Sequence, residues 1–341
     1  MRSGMICLLF AASVLLGGCV EAEPLRSGTH PPVHLTAWQT YWDMEGGRND
    51  YDALRKKTDA ISCFAVSYDE NDTLYVPEEV RAMVEEYKGK KLDIYLSFTN
   101  DIIGKRRSEK DRELLWRLLG DDAAMDRTVE GIAALAASFG VHGVELDYEN
   151  FAKDEKLFQR YLVFTYRLSA ACVHQGLKLR IVLEPSVPFD AGFAKGPEYV
   201  VMLYNLYGKH SGPGAKADGA FIEKTLTKME ALPEKRAVAF ATGGCLWQDY
   251  GLFGLKSGER RFITAREAVD LAQKHNLTPE RDEASAALHF RFEADGHETE
   301  VWYADSETLN AWITLAANRG ISSVSIWRLG GNVELGQVRN K

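Results

Sequence analysis

Short runs of apolar and β-branched residues alternate along the chain with longer stretches in which apolar positions recur every three or four residues. Runs of the first kind stand at 34–42 (HLTAWQTYW), 60–68 (AISCFAVSY), 92–100 (LDIYLSFTN), 141–149 (VHGVELDYE), 177–185 (LKLRIVLEP), 199–207 (YVVMLYNLY), 236–244 (RAVAFATGG) and 322–330 (SSVSIWRLG). Each reads as a strand, and there are eight. Helical stretches lie between them with recognisable punctuation. They are PEEVRAMVEEYKG with Pro77 in its first turn, DDAAMDRTVEGIAALAASFG closing at Gly140, and DEKLFQRYLVFTYRLSAACVHQG closing at Gly176. Later come AFIEKTLTKMEAL, TAREAVDLAQKHN opened by Thr264, and SETLNAWITLAANRG opened by Ser306 and closed by Gly320. Strand and helix alternating around eight strands predict an α/β fold, a single (β/α)8 TIM barrel over residues 34–341. No repeat suggests a solenoid or propeller.

One segment breaks the alternation. In residues 277–305 the runs HFRF and TEVWY flank Ala294-Asp295-Gly296, which predicts a small β-hairpin inserted before the last barrel helix. Such an insertion would wall one side of a cleft at the carboxyl-end face. The N-terminus has Arg2, an apolar run from about Met5 to Leu16 too short to span a bilayer, and then small residues, the layout of a secretory signal over 1–18. Leu16-Gly17-Gly18-Cys19 resembles the bacterial lipobox, which implies cleavage before Cys19, lipidation of its thiol and an extracytoplasmic, membrane-anchored protein. An ordinary signal peptide with an incidental cysteine is the alternative. Position 20 is Val, not Asp, so the usual signal for inner-membrane retention is missing and an outer membrane, if the cell has one, is a possible destination. Residues 19–33 are polar and proline-bearing and read as a tether.

Composition adds bounds. At 45% hydrophobic residues the chain can bury a large core, and a net charge of −8 argues against nucleic acid as a partner. Cys63, Cys172 and Cys245 are widely spaced in apolar surroundings and read as buried small hydrophobes, neither a disulfide framework nor a metal site. The eight histidines show no paired-ligand motif. No cofactor or metal is expected, and the chain is expected to be a monomer.

The candidate chemistry is in GVHGVELDYEN, residues 140–150. Strand alternation puts Val144, Leu146 and Tyr148 on one side and Glu145, Asp147 and Glu149 on the other, each acid about 6–7 Å from the next. A half-exposed strand with a wet face gives the same spelling. As the fourth strand of a barrel, however, it ends at the face where such barrels carry their sites. Three inward like charges must be protonated or paired, and crowding raises the pKa of a neighbouring acid into a range useful for proton donation.

HGVELDYE is similar to the signature DGxDxDxE of glycoside hydrolase family 18, with Asp147 and Glu149 matching and His142 and Glu145 departing. Met202-Leu203-Tyr204-Asn205 resembles the family's MxY[DN] at the end of strand six, Gly212-Pro213-Gly214 follows in the usual loop, and Ile326-Trp327 ends strand eight at the family's tryptophan. The stretch from 300 to 331 is especially similar to the subgroup of spore-cortex and cell-wall N-acetylglucosaminidases.

The resemblance implies a retaining hydrolase without a protein nucleophile, in which the substrate's 2-acetamido oxygen attacks the anomeric carbon. Glu149 would be the general acid and then base. Asp147 would orient the acetamido group, and Glu145 would hold or share Asp147's proton. Tyr204 would bond the acetamido oxygen, Met202 and Asn205 would border the sugar, and Trp327 would floor its subsite. Trp38, Tyr41, Trp42 and Trp247 stand as candidate linings of outer sugar sites, and Glu184 and Asp190 as candidate contacts. Each has a packing alternative: Tyr204 as a core tyrosine, Asn205 as a turn residue, the tryptophans as barrel filling. The implied substrate is a β-linked N-acetylglucosamine glycan, from peptidoglycan, chitin-like oligomers or an N-glycan core. A sugar-binding lipoprotein with little or no catalysis is the rival reading, because Glu145 replaces the shorter acid and fold alone does not decide function.

Overall fold

All eight apolar runs form strands, and they pair in parallel into a closed ring. The structure is a computed structural model that describes residues 24–233, 235–248, 258–294 and 296–341; the signal segment and Cys19 lie outside these. The ring runs β1 (His34–Thr40), β14 (Ser323–Trp327), β8 (Arg236–Ala241), β7 (Glu198–Met202), β6 (Lys178–Leu183), β5 (Gly143–Asp147), β4 (Asp93–Ile102) and β2 (Ala60–Tyr68), and β2 pairs back to β1. A short β3 (Leu74–Tyr75) adds an antiparallel edge to β2. The fold is a (β/α)8 barrel, as the alternation predicts.

Alternation along each strand divides two interiors. On β5, Val144 and Leu146 face outward into the main core with the helices, and no part of either is exposed. That ring of helices comprises α1 (Met44–Leu54), α2 (Glu78–Lys88), α3 (Arg112–Leu119), α4 (Asp122–Phe139), α5 (Glu155–His174), α6 (Gly219–Met229) and α8 (Ser306–Asn318). Inside the barrel the fill is smaller and mixed. Trp38, Phe64, Ala65, Val182, Val200, Met202, Ala237 and Ala239 form one cluster under Tyr204 and Trp327. Below them lie the buried polar side chains of Thr36, Ser62, Ser97, Glu145, Arg180 and Ser325.

Helix starts follow from capping. Asp121, Asp154 and Asp218 accept the backbone N–H three residues on, from Ala124, Leu157 and Phe221. The last barrel helix is opened by Asp305, which accepts from Thr308 N–H, and not by Ser306, which is its first helical residue. The crossover from β6 to β7, residues 184–197, carries no helix.

The predicted hairpin exists as β12 (Leu288–Ala294) and β13 (His297–Ala304), with Asp295 outside the described residues. It belongs to something larger than 277–305. With β9 (Gly243–Gln248), β10 (Arg260–Ile263) and β11 (Glu280–Arg281) it forms an antiparallel sheet in the order β10-β9-β13-β12-β11. The reason is pairing: β13 has a free edge that the hairpin alone leaves open, and β9 fills it from Thr299 to Ala304. Gly244 permits that approach, since a Cβ there would run into the Trp302 carbonyl. Helix α7 (Ala265–Lys274), read from sequence as part of the barrel ring, packs instead on this sheet through Ala265, Ala268 and Ala272. Cys63, Cys172 and Cys245 are all buried free thiols.

Candidate active site

The carboxyl ends of the barrel strands open into a cleft of about 620 Å³. Its lining includes Asp147 and Glu149, Tyr204 and Asn205, Met202, Trp327, Phe64, and Tyr41 with Trp42. A further 370 Å³ hollow shares Trp42, Tyr204, Asn205, Phe262 and Trp327 with it and runs toward the inserted sheet. A 430 Å³ pocket at the opposite end of the barrel, around His34, Lys178 and Glu198, shares no residue with this cleft.

Glu149 is held from both its backbone groups. Its N–H donates to Asn100 Oδ1 at 2.9 Å and its carbonyl accepts from Asn100 Nδ2 at 3.2 Å, a clamp contributed by the neighbouring strand β4. Its carboxylate meets Lys110 Nζ at 2.6 Å. Burial nevertheless raises the pKa of Glu149, the Lys110 ammonium opposing that shift. Asp147, level with Thr99 on β4, has its Oδ1 buried with no hydrogen-bond partner among the described residues. Burial first, then the charges of Glu149 and Glu145, raises its pKa well above 3.8. Asp147 is thus shifted toward its protonated form, with a buried polar atom unmet. Burial likewise raises the Tyr204 hydroxyl, keeping it a neutral donor.

Glu145 does something else. Its Oε1 accepts from Ser62 Oγ (2.6 Å), Ser97 Oγ (2.8 Å) and Trp38 Nε1. Its Oε2 lies 3.2 Å from Arg180 Nε. Arg180 in turn donates to Thr36 Oγ1 and Ser325 Oγ, both at 2.6 Å, and its Nε is 3.3 Å from Glu198 Oε2. These bonds run inward, away from Asp147. The expectation that Glu145 holds Asp147's proton has no hydrogen bond to carry it among the described residues.

The aromatic candidates divide. Trp327 lies on the floor, packed edge-on against Phe64 (4.9 Å between centroids) and Trp38 (5.8 Å). Trp38 itself is a correction: it is 1% exposed, does not line the cleft, and supports Trp327 from below while bonding Glu145. Trp247 lies outside this cleft, 3% exposed on the inserted sheet with its Nε1 donating to the Ser211 carbonyl at 3.1 Å, and lines a separate 300 Å³ hollow with Gly212 and Pro213. Trp42, by contrast, is 53% exposed on the cleft wall. Glu184 accepts from Asn150 N–H at 3.4 Å and stands behind the acid, and Asp190 is exposed outside the cleft lining.

Asn100, Arg107, Lys110 and Phe262 are among the site residues that sequence reading missed. Asn100 closes a strand and carries no motif. Arg107 and Lys110 fall in the charged stretch KRRSEKDRE and look there like a solvated loop. Phe262, 58% exposed, reaches the cleft from β10, a strand too short to stand out.

No protein-family model matches the chain. Among curated proteins it is similar to the cortical fragment-lytic enzymes of Bacillus anthracis, 24% identical, and Bacillus cereus, 25% identical, each over 231 residues, 62% of this chain and 52% of the relative. The chain thus spans about half the length of the curated relatives it matches. Among solved structures it resembles the Bacillus cereus spore cortex-lytic enzyme SleL, with a TM-score of 0.76 at 20% identity over 91% of this chain and 74% of that one. It also resembles a chitinase from Chromobacterium violaceum, TM-score 0.77 at 16% identity over 89% and 96%. A class V chitinase from Nicotiana tobaccum in complex with NAG4 superposes with a TM-score of 0.71 at 13% identity over 91% and 97%. At these identities the structural likeness shows the fold.

Proposed function

We propose that this chain is a family 18-like glycoside hydrolase that cleaves β-linked N-acetylglucosamine glycans with help from the substrate's own acetamido group. The observation that carries this is the pair at the carboxyl end of β5: Glu149 in the cleft lining, and two residues before it Asp147, buried, with its pKa raised and Oδ1 unmet. A retaining enzyme that uses its own nucleophile needs a second ionised carboxylate about 5 Å across the sugar. Asp147, shifted toward its protonated form and only two residues from Glu149, is not suited to that role, but it can bond an acetamido group.

Glu149 protonates the glycosidic oxygen and afterwards takes a proton from water, a task that fits an acid raised by burial. Asp147 turns the acetamido group so that its oxygen reaches the anomeric carbon, and it stabilises the charge that develops on the ring formed there. Tyr204 donates to that oxygen, Trp327 offers its face to the pyranose C–H bonds, and Asn205 and Met202 border the same sugar. The names of the curated relatives support cell-wall glycan as the substrate class, and the resemblance of the Cys19 segment to a lipobox supports an anchored enzyme at the bacterial envelope.

The test is hydrolysis of chromogenic chito-oligosaccharides and muropeptide fragments by the chain starting after Cys19, beside Glu149→Gln. Retained anomeric configuration, loss of turnover in the variant and inhibition by a thiazoline mimic of the bicyclic intermediate are expected. One observation favours a second reading, a sugar-binding protein without turnover: Lys110 sits on the acid. Saturable binding with no cleavage of any 2-acetamido substrate would decide for it.

A further inference from the structure

The hollow that runs toward the inserted sheet holds a cation that the proposed reaction does not use. Lys216 lines it beside Tyr204, Asn205 and Trp327, with its Nζ 4.8 Å from the centre of the Phe262 ring. Its backbone is fixed, since its carbonyl accepts from Leu206 N–H at 3.0 Å. The other charged side chains of that wall are engaged. Arg328 meets Asp43 at 2.7 Å, and Glu267 accepts from Thr264 N–H at 2.6 Å and lies 3.2 Å from Arg261. The Lys216 side chain forms no ion pair and no hydrogen bond among the described residues. Burial disfavours its charge and lowers its pKa, and no carboxylate among those residues offsets the cost.

The hollow also has a direction along the substrate. Asp147 and Glu149 line the main cleft and not this hollow, and the same is true of Asp101 and Lys110. The two spaces join at Trp42, Tyr204, Asn205, Phe262 and Trp327. A sugar on Trp327 therefore has its leaving side toward Glu149 and its other end toward Lys216. We propose that Lys216 is a specificity-determining residue for the sugar that precedes the reacting one: it takes a 2-acetamido sugar there, through the amide carbonyl, and rejects the same sugar as a free amine. The reason is the sign of the charge. An ammonium donates and cannot accept, so it gains by meeting a neutral carbonyl oxygen and loses by meeting a second cation. This rests on the hydrolase reading above and adds a requirement at a second sugar to the one at the sugar that is cut.

The test uses three aryl disaccharides, each a nitrophenyl β-glycoside of N-acetylglucosamine extended by a β-linked sugar that bears a 2-acetamido group, a free 2-amine or a 2-hydroxyl. The reacting sugar and the leaving group are the same in all three. Values of kcat and KM for nitrophenol release are measured for the unaltered chain, Lys216→Met and Lys216→Arg, at a pH where the sugar amine is charged. The unaltered chain is expected to prefer the acetamido form and to cut the amine form about ten-fold or more less well than the hydroxyl form in kcat/KM, chiefly through KM. Lys216→Met should bring the amine form level with the hydroxyl form, and Lys216→Arg should keep the gap. A lysine that only shapes the wall would lower all three forms together in the Met variant and leave their ratios unchanged, which overturns the inference. Equal kcat/KM for the amine and hydroxyl forms in the unaltered chain overturns it too, as does an absence of nitrophenol from all three while chito-oligosaccharides are cut. Each of these leaves the hydrolase reading standing. Cleavage of no 2-acetamido substrate at all removes the hydrolase reading, and the inference with it.

Discussion

Arg180 lies level with Glu145 in the parallel pairing of β6 with β5, its Nε 3.2 Å from Glu145 Oε2, and both side chains are shut off from solvent. This pair accounts for the longer acid at position 145. An aspartate would fall one methylene short of the guanidinium, whereas glutamate reaches Arg180 with one oxygen and Ser62, Ser97 and Trp38 with the other. The departure from the DGxDxDxE spelling thus has its partner on the adjacent strand inside the barrel, and not in the cleft.

Removing one member of a buried pair costs more than removing both. Arg180→Met is expected to destabilise the fold by about 3–5 kcal/mol, because Glu145 is left facing an apolar side chain. The double variant Arg180→Met with Glu145→Gln should recover a large part of that loss. Urea denaturation of the single and double variants measures it, and equal losses in the two would show that the ion pair is not what holds these residues.

Asp147 makes stability depend on pH in a definite direction. Its carboxyl titrates at about 3.8 when unfolded and well above that in the fold, mainly because it is buried. Between those two values the folded chain keeps a proton that the unfolded chain has released, so stability falls as pH rises through that window. Below the unfolded value both states are protonated and the penalty vanishes. Asp147→Asn keeps the shape and removes the titration. It should therefore leave stability near pH 3 unchanged, raise it progressively above pH 4, and abolish turnover. Thermal unfolding across pH 3–8 reads the first effect, and a variant that tracks the unaltered chain throughout would contradict a neutral buried Asp147.

The barrel was legible because its eight strands are apolar runs separated by capped helices, and because parallel strands covered on both faces leave that signal in any order of side-chain size. The inserted sheet was not. Its first strand, Gly243–Gln248, begins one residue after the seventh barrel strand ends at Ala241, so Gly243 and Gly244 read as the close of the strand-seven run and not as the start of a new sheet. For the site, the spacing of Asp147 and Glu149 was readable, since a strand period of two fixes it. Which aromatics reach the cleft was not, because Trp38 and Trp327 each follow an apolar strand residue, Ala37 and Ile326, that pair with one another, and yet only Trp327 lines the cleft. Lys110 was hidden for another reason: its place depends on backbone bonds to Asp101 and Asn150, which no side-chain pattern records.

Asn100 gives a prediction that separates position from chemistry. It bonds both backbone groups of Glu149 and is 1% exposed. Asn100→Ala leaves a buried N–H and carbonyl unpaired, at a cost of about 1–3 kcal/mol in stability. Because it frees the backbone of the proposed acid without touching its carboxyl, kcat should fall by about ten-fold or more while KM changes little. Steady-state kinetics beside denaturation tests this. A fall in stability with kcat intact would mean that the carboxyl is positioned from elsewhere, with Lys110 as the remaining contact.

Phe262 offers the opposite separation, function without stability. It is 58% exposed, projects from the inserted sheet into the cleft, and has the ammonium of Lys216 4.8 Å from its ring. Truncating a side chain so exposed should change stability by no more than about 0.5 kcal/mol. If its ring stacks on a sugar away from the bond that is cut, Phe262→Ala loses about 0.5–1.5 kcal/mol of binding, roughly two- to ten-fold in KM, for long oligosaccharides. Short chromogenic substrates that end before the ring should be unaffected, and kcat on either should hold. Comparing KM across a ladder of oligosaccharide lengths then locates the ring along the substrate: the length at which the variant first falls behind the unaltered chain is the one that reaches the inserted sheet. A ladder with no such step would mean that the insertion walls the cleft without touching the glycan.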